Sequence, residues 1–280
     1  MKNINISFIG GGNMAASLIG GLLADNLRAD QITVTDPNER CRDYLASQFG
    51  VHTTDDNAAS VTGADVVVLA VKPQILQGVA EALAPAVQAG QPLVVTVAAG
   101  IRSADLNRWL GGETGKSVAV VRAMPNTPAL LQTGATGLFA SEPVSDDQRD
   151  LAESILRAAG LTLWVQEEDQ MDAVTALSGS GPAYFFRVME AMQAAGAELG
   201  LPEETARLLT MQTALGAAKM ALESSDSVTT LRERVTSPGG TTEQGLRVLA
   251  ENNIDLLMAQ VLKAAFDRSR ELASELGNNK

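Results

Sequence analysis

The residues of this chain that could do chemistry lie in two glycine turns. One cysteine, Cys41, and one histidine, His52, leave no material for an intrachain disulfide, a thiolate cluster or a histidine-based metal set. The first turn opens the chain. ISFIGGGNMAASLIGGLL gives a strand, then Gly10-x-Gly12-x-x-Ala15, then a helix, the context in which a glycine pattern becomes a dinucleotide-binding one. Gly10 permits the tight turn, Gly12 lets a pyrophosphate approach the backbone, and the N–H groups around Asn13 and Met14 face the phosphates. The second turn is TSPGGTTEQGL, Thr236 to Leu246. Thr241 and Gln244 fit a capping box, so Pro238, Gly239 and Gly240 lead into a helix N-terminus, whose free N–H groups and dipole suit an anion. An ordinary inter-helix turn with a good cap would read the same way.

Further polar residues fall at strand ends, where doubly wound sheets bind ligands. They are Lys72-Pro73-Gln74, Ala98-Ala99-Gly100 and Met124-Pro125-Asn126-Thr127-Pro128. The prolines around Asn126 stiffen its backbone, as suits a polar group held for a cofactor or substrate. Lys72 is either a general acid or a solvated side chain near a phosphate or ribose. Asp36, about 20 residues beyond the glycine turn, stands where an acidic residue binds the adenosine ribose and favours NAD. Arg40 or Arg42 would instead accommodate a 2′-phosphate. Alternatively, Asp36 caps the helix beginning at Pro37.

Positioning these residues takes a parallel sheet wrapped by helices. Ile4 to Ile9, Ile32 to Thr35, Val66 to Val71, Leu93 to Val97 and Val118 to Val121 are Val/Ile-rich runs separated by helix-length segments. A last strand-like run covers Leu161 to Trp164, and beyond Glu167 the pattern is helical alone. Pro182 and Pro202 stand where first helical positions are expected. The fold expected is therefore α/β, an N-terminal Rossmann-type doubly wound sheet over residues 1–164, with an all-helical domain over 165–280. AMQAAGAELG and MQTALGAAKMAL leave little polar face, so these helices are expected to pack against a second copy of the chain.

A formal charge of −12 and no Lys/Arg-rich run argue against nucleic acid or an anionic membrane surface as partner. MKNINISFIGGGNM reads straight into a strand and no apolar run approaches the ~18 residues of a membrane span, so the expected address is the cytoplasm.

The order GGGNMA, AVKPQ, VRAMPNTPA, SGSGPAY and VTSPGGTTEQGL covers the whole chain and resembles the pyrroline-5-carboxylate reductases, enzymes of the last step of proline biosynthesis. SGSGPAY and VTSPGGTTEQGL are the specific motifs. The resemblance implies reduction of pyrroline-5-carboxylate to proline with NADPH or NADH. It also implies a homodimer with intertwined helical domains and, in many members, a decamer of five dimers. Cofactor contacts are implied at Thr35, Asp36, Asn57, Ala70, Val71, Lys72, Pro73 and Ala98, besides Gly10, Gly12, Asn13 and Met14. The substrate carboxylate would lie on the N–H groups near Gly239, Gly240 and Thr241 with Ser237 beside them. Thr242 matches the threonine whose hydroxyl faces the ring nitrogen and is the expected catalytic residue, while Ser178 and Gly179 help close the pocket. The chain departs from NADPH-preferring members at Thr35-Asp36-Pro37-Asn38, where they often carry Ser, Thr or Arg.

Two other readings share the architecture. Hydroxy-acid dehydrogenases use a lysine in the helical half, but Lys219 lacks their glycine-rich context. A non-catalytic redox sensor would have no use for a carboxylate site.

Overall fold

Apolar β-branched runs buried on both faces explain why the first half forms a sheet. The structure is a computed structural model describing residues 4–277. Its first half runs β1 (Ile6–Ile9), α1 (Asn13–Ala24), β2 (Ile32–Thr35), α2 (Glu39–Phe49), β3 (His52–Thr54), α3 (Asn57–Val61), β4 (Val66–Leu69), α4 (Pro73–Gly90), β5 (Leu93–Thr96), α5 (Ser103–Trp109) and β6 (Val120–Met124). β7 (Gly134–Ala140), α6 (Asp146–Arg157), β8 (Gly160–Trp164) and α7 (Gln170–Val174) follow. The remainder is helical: α8 (Gly181–Glu198), α9 (Glu203–Glu223), α10 (Val228–Arg234), α11 (Thr241–Glu251) and α12 (Ile254–Gly277).

The described strands form one sheet ordered β3-β2-β1-β4-β5-β6-β7-β8. β1 to β6 are parallel, β7 runs antiparallel to β6, and β8 runs parallel to β7. The chain winds outward through β2 and β3, then returns to place β4 on the other side of β1, so the switch point lies between β1 and β4. Phe8, Leu18, Val34 and Ile155 pack on one face of the sheet, and Leu69, Leu76, Leu83 and Trp109 on the other.

Contacts divide the chain into two compact units, 1–180 with 265–280, and 181–264. In the first unit the C-terminal turns of α12 pack under the loop after β5. Leu276 joins the Trp109 side of the core, and Ser269 Oγ donates to Asp172 Oδ1 at 2.7 Å. In the second unit α8 and α9 pair, and few of their side chains are covered. Phe185 is 68% exposed, Leu215 61% and Leu222 82%. Helices apolar nearly all round, left open in one copy, need another surface to cover them.

The element ends differ in places from the sequence reading. β1 starts at Ile6, and β4 and β5 stop at Leu69 and Thr96, two and one residues short. β6 is shifted toward Met124 because it pairs there with β7. Pro182 is the second residue of α8, whose backbone arrives through a π turn over Thr175–Gly179 and is already helical. Pro202 is the extended cap before Glu203, one residue outside α9.

Candidate active site

The first glycine turn sits at the switch point. Gly10 has φ +99°, and a Cβ on it would lie 2.8 Å from the Ala70 carbonyl oxygen and 3.0 Å from Val71 Cγ1, so only glycine lets the β1 and β4 ends approach this closely. Its N–H donates to the Thr35 carbonyl at 2.8 Å, tying the turn to the end of β2. Gly12 caps α1 in extended conformation and its Cβ direction meets nothing within 4 Å. No side chain caps α1 and no acidic residue stands in its first turn. The N–H groups of Asn13 and Met14 thus present the positive end of a helix dipole, with Gly12 and Asn13 exposed. These residues fit a pyrophosphate.

The strand-end residues gather around this turn. Ala70 and Val71 follow β4, exposed Lys72 precedes Pro73 at the first position of α4, and Ala98 follows β5 with its N–H on Thr96 Oγ1 at 3.2 Å. Thr35 is fully buried at the end of β2, and Asn57 opens α3 half-buried. Asp36 does not cap a helix at Pro37. α2 begins at Glu39, and Asn38 is its cap, accepting from the Arg40 N–H. The Asp36 carboxylate instead accepts from the Asn38 N–H through Oδ1 and from the Gly11 N–H through Oδ2. Arg42 Nη1 donates to the Asp36 carbonyl at 2.7 Å. Burial, and then the Asp36 charge, push the Cys41 thiol up, so it stays protonated and donates to the Gly11 carbonyl at 3.1 Å.

Asn126 turns out to be a brace. Its amide donates to the Ser178 carbonyl at 3.1 Å and accepts from the Ala135 N–H at 2.9 Å, joining the end of β6 to β7 and to the π turn. One N–H and the carbonyl oxygen of the side chain are thus engaged by the protein. In the π turn, Ser178 Oγ donates to the Val174 carbonyl at 3.1 Å, and a Cβ on Gly179 would lie 2.5 Å from Met124 Cε. π turns inside helices are frequent at functional positions, and the one here ends in Ser178 and Gly179, the first two residues of the SGSG stretch.

In the second unit, Gly239 has φ +72° and Gly240, extended, caps α11. The expected capping box is therefore displaced. Thr241 is the first helical residue rather than the cap, and the side chain reaching back is that of Glu243, whose Oε2 accepts from the Gly239 N–H at 2.8 Å. The Gly240 N–H donates to the Ser237 carbonyl at 3.0 Å. Ser237, Thr241 and Thr242 are exposed, the last at the second position of α11.

Sequence reasoning missed a polar cluster in the first unit. Arg122, on β6 and buried, pairs through Nη1 with Glu168 Oε1 at 2.8 Å. Glu168 also accepts from the Ser103 N–H at 2.6 Å and Oγ at 2.9 Å. Beside it Arg102 pairs with Asp169 and with buried Asp172. The signal available was an arginine inside the apolar run VAVVRAM, a charge that a sheet interior tolerates only with a partner. Among the described residues no group of three or more His, Cys, Asp or Glu could hold a metal ion, and no helix is long and apolar enough to cross a membrane.

A parallel sheet with a glycine turn at its switch point and an uncapped helix beyond it defines a dinucleotide-binding α/β protein of the oxidoreductase kind. Residues 5–100 match the family described as NADP oxidoreductase, coenzyme F420-dependent, and residues 168–272 the family of pyrroline-5-carboxylate reductase dimerisation domains. The chain is 52% identical over 277 residues to a pyrroline-5-carboxylate reductase of Pseudomonas aeruginosa, covering 99% of this chain and 100% of that one. Among solved structures it is similar to a pyrroline-5-carboxylate reductase of Coxiella burnetii, with TM-score 0.92, 50% identity and coverage of 96% and 98% of the two chains. It is also similar to a pyrroline carboxylate reductase of Plasmodium falciparum with NADP bound, with TM-score 0.84, 27% identity and coverage of 98% and 99%. The chain belongs to the pyrroline-5-carboxylate reductase family.

Proposed function

We infer that this protein reduces 1-pyrroline-5-carboxylate to L-proline with NADPH or NADH, the last step of proline biosynthesis. The observation that carries the reading is that one chain, a family member over its whole length, joins the glycine turn at the switch point to the Pro-Gly-Gly turn opening α11. The bound nicotinamide supplies the hydride that adds to the C=N carbon.

The protein's own residues bind, orient and assist. The N–H groups of Asn13 and Met14 hold the pyrophosphate, and Gly10, Gly12, Thr35, Asp36, Asn57, Ala70, Val71, Lys72, Pro73 and Ala98 form the dinucleotide site. The substrate carboxylate binds the turn of Ser237, Gly239, Gly240, Thr241 and Thr242, exchanging with the Glu243 carboxylate at the Gly239 N–H, and the family resemblance adds Ser178 and Gly179 to the substrate-binding residues. Thr242 accepts, through its hydroxyl oxygen, from the N–H of the protonated ring nitrogen. A hydroxyl is a weak acid, so its part is to favour the protonated imine, whose carbon accepts hydride more readily, and positioning supplies much of the rate. Thr242→Ala should lower turnover about tenfold, the contribution of one preorganised hydrogen bond in a partly solvated site, while leaving dinucleotide affinity within about twofold. Steady-state kinetics beside a fluorescence titration check this, and unchanged turnover would refute the role.

The working unit is a homodimer, supported by the uncovered apolar helices of the second unit. In the decameric form five such dimers make a ring, and the compartment is the cytoplasm. Light scattering on the purified protein measures the assembly directly.

The activity is tested by mixing purified protein with pyrroline-5-carboxylate and following loss of reduced-nicotinamide absorbance, with NADPH and NADH in parallel. Rapid oxidation establishes the reductase. Dinucleotide binding without oxidation of either would overturn it in favour of a redox sensor.

A further inference from the structure

Gly11, the middle residue of the first glycine turn, has both of its backbone groups held by side chains from the segment after β2. Its N–H donates to Asp36 Oδ2 at 3.0 Å, and its carbonyl accepts from Cys41 Sγ at 3.1 Å. The holding residue is itself held. Asp36 Oδ1 accepts from the Asn38 N–H at 2.9 Å, and the Asp36 carbonyl accepts from Arg42 Nη1 at 2.7 Å.

We propose that Asp36 is a positioning residue that sets the glycine turn for NADH and NADPH alike, rather than a discriminator that selects NADH through its charge. The inference rests on the reading of this turn as the dinucleotide site. An ionised carboxylate has about four acceptor positions, and two are already given to backbone N–H groups of the protein. The bond to Gly11 is charge-assisted, the stronger kind. It acts one residue before Gly12, whose placement fixes the start of α1 and the N–H groups of Asn13 and Met14. Those groups meet the pyrophosphate, which the two dinucleotides share, and the 2′-phosphate is not needed to feel a displaced turn. Cys41, holding the opposite side of Gly11, makes the turn a two-point clamp, and its thiol carries no charge with which to repel a 2′-phosphate.

The test is direct binding, without substrate, of NADH and of NADPH to the purified full-length protein, read by the fluorescence of the reduced nicotinamide. Asp36→Ser should weaken both dinucleotides by a similar factor, about tenfold, the lower end of what a charge-assisted hydrogen bond contributes. Asp36→Asn, which keeps one carbonyl acceptor, should recover part of that loss for both. Cys41→Ala, with the carboxylate left in place, should weaken both by a smaller common factor. A ratio of the two affinities that stays within about twofold across the variants supports the proposal. NADPH binding that rises while NADH binding falls in Asp36→Ser, or neither changing, overturns it. A wild-type Gly11 amide that exchanges with solvent as fast as an open loop overturns it too, and that measurement requires no variant to fold. Wild-type protein that binds neither dinucleotide would instead sink the reductase reading.

Discussion

Arg122→Leu should lower the unfolding free energy by about 3 kcal/mol, the low end of the cost of removing one partner of a buried ion pair. Arg122 is 6% exposed in the middle of the sheet, on β6 between β5 and β7. Leucine fills much of the space but leaves Glu168, its side chain only 19% exposed, without its cation. The low end applies because Glu168 keeps its bonds from the Ser103 N–H and Oγ and retains some contact with water. Adding Glu168→Gln to Arg122→Leu should restore more than 1 kcal/mol of the ~3, because a neutral amide tolerates the site where a lone carboxylate does not. Chemical denaturation of both variants at one fixed protein concentration measures this, since an assembly's stability depends on concentration. A loss below about 1 kcal/mol for Arg122→Leu would show that water solvates the pair despite its position. The cluster also fixes Ser103 at the start of α5, five residues beyond Ala98.

The parts of the fold that were legible are those whose side chains alone state their burial. The Val/Ile runs of β1, β2, β4, β5 and β6 belong to strands covered on both faces, which needs no knowledge of partners. β3 is the polar His-Thr-Thr at the sheet edge, and β7 is GATGLFA, with two glycines and two alanines among seven residues. Neither carries a strong local preference, and both exist because a neighbouring strand presents a ladder to them.

The same division runs through the candidate site. The spacing of Gly10, Gly12 and Ala15 between a strand and a helix is local and was readable. The capping box was misplaced by one residue because spacing alone cannot tell which of two glycines ends the turn. The left-handed Gly239 leaves Gly240 as the cap, and Glu243 reaches back past it. Distance from the turn singles out Asp36, yet its bond to Gly11 spans 25 residues of chain. Asn126 is chosen by its flanking prolines, yet its amide bonds the Ser178 carbonyl 52 residues away. Hydrogen bonds over such separations are set by topology, so no local pattern announces them.

Gly10→Ala should weaken binding of either dinucleotide about a hundredfold, and this substitution asks most directly whether the turn at the switch point is the binding element. Two costs combine. At φ +99° an L-residue is strained by about 1–2 kcal/mol. The added Cβ would also stand 2.8 Å from the Ala70 carbonyl oxygen and 3.0 Å from the Ala70 carbonyl carbon, both backbone atoms of a strand end that cannot step aside. Overpacking of this kind costs about 1–3 kcal/mol, so the two together amount to about 3 kcal/mol, or a little over a hundredfold if expressed wholly in affinity. The chain can meet that cost by moving the turn, which takes Gly12 and the first N–H groups of α1 out of register with the phosphates, or by losing stability in the apo state. A titration of NADH and NADPH fluorescence beside a melting curve without dinucleotide separates the two. Lost affinity with a melting temperature near wild type means the turn moved, affinity within about threefold beside a lowered melting temperature means the cost was met as stability, and neither changing would place the pyrophosphate elsewhere on the protein.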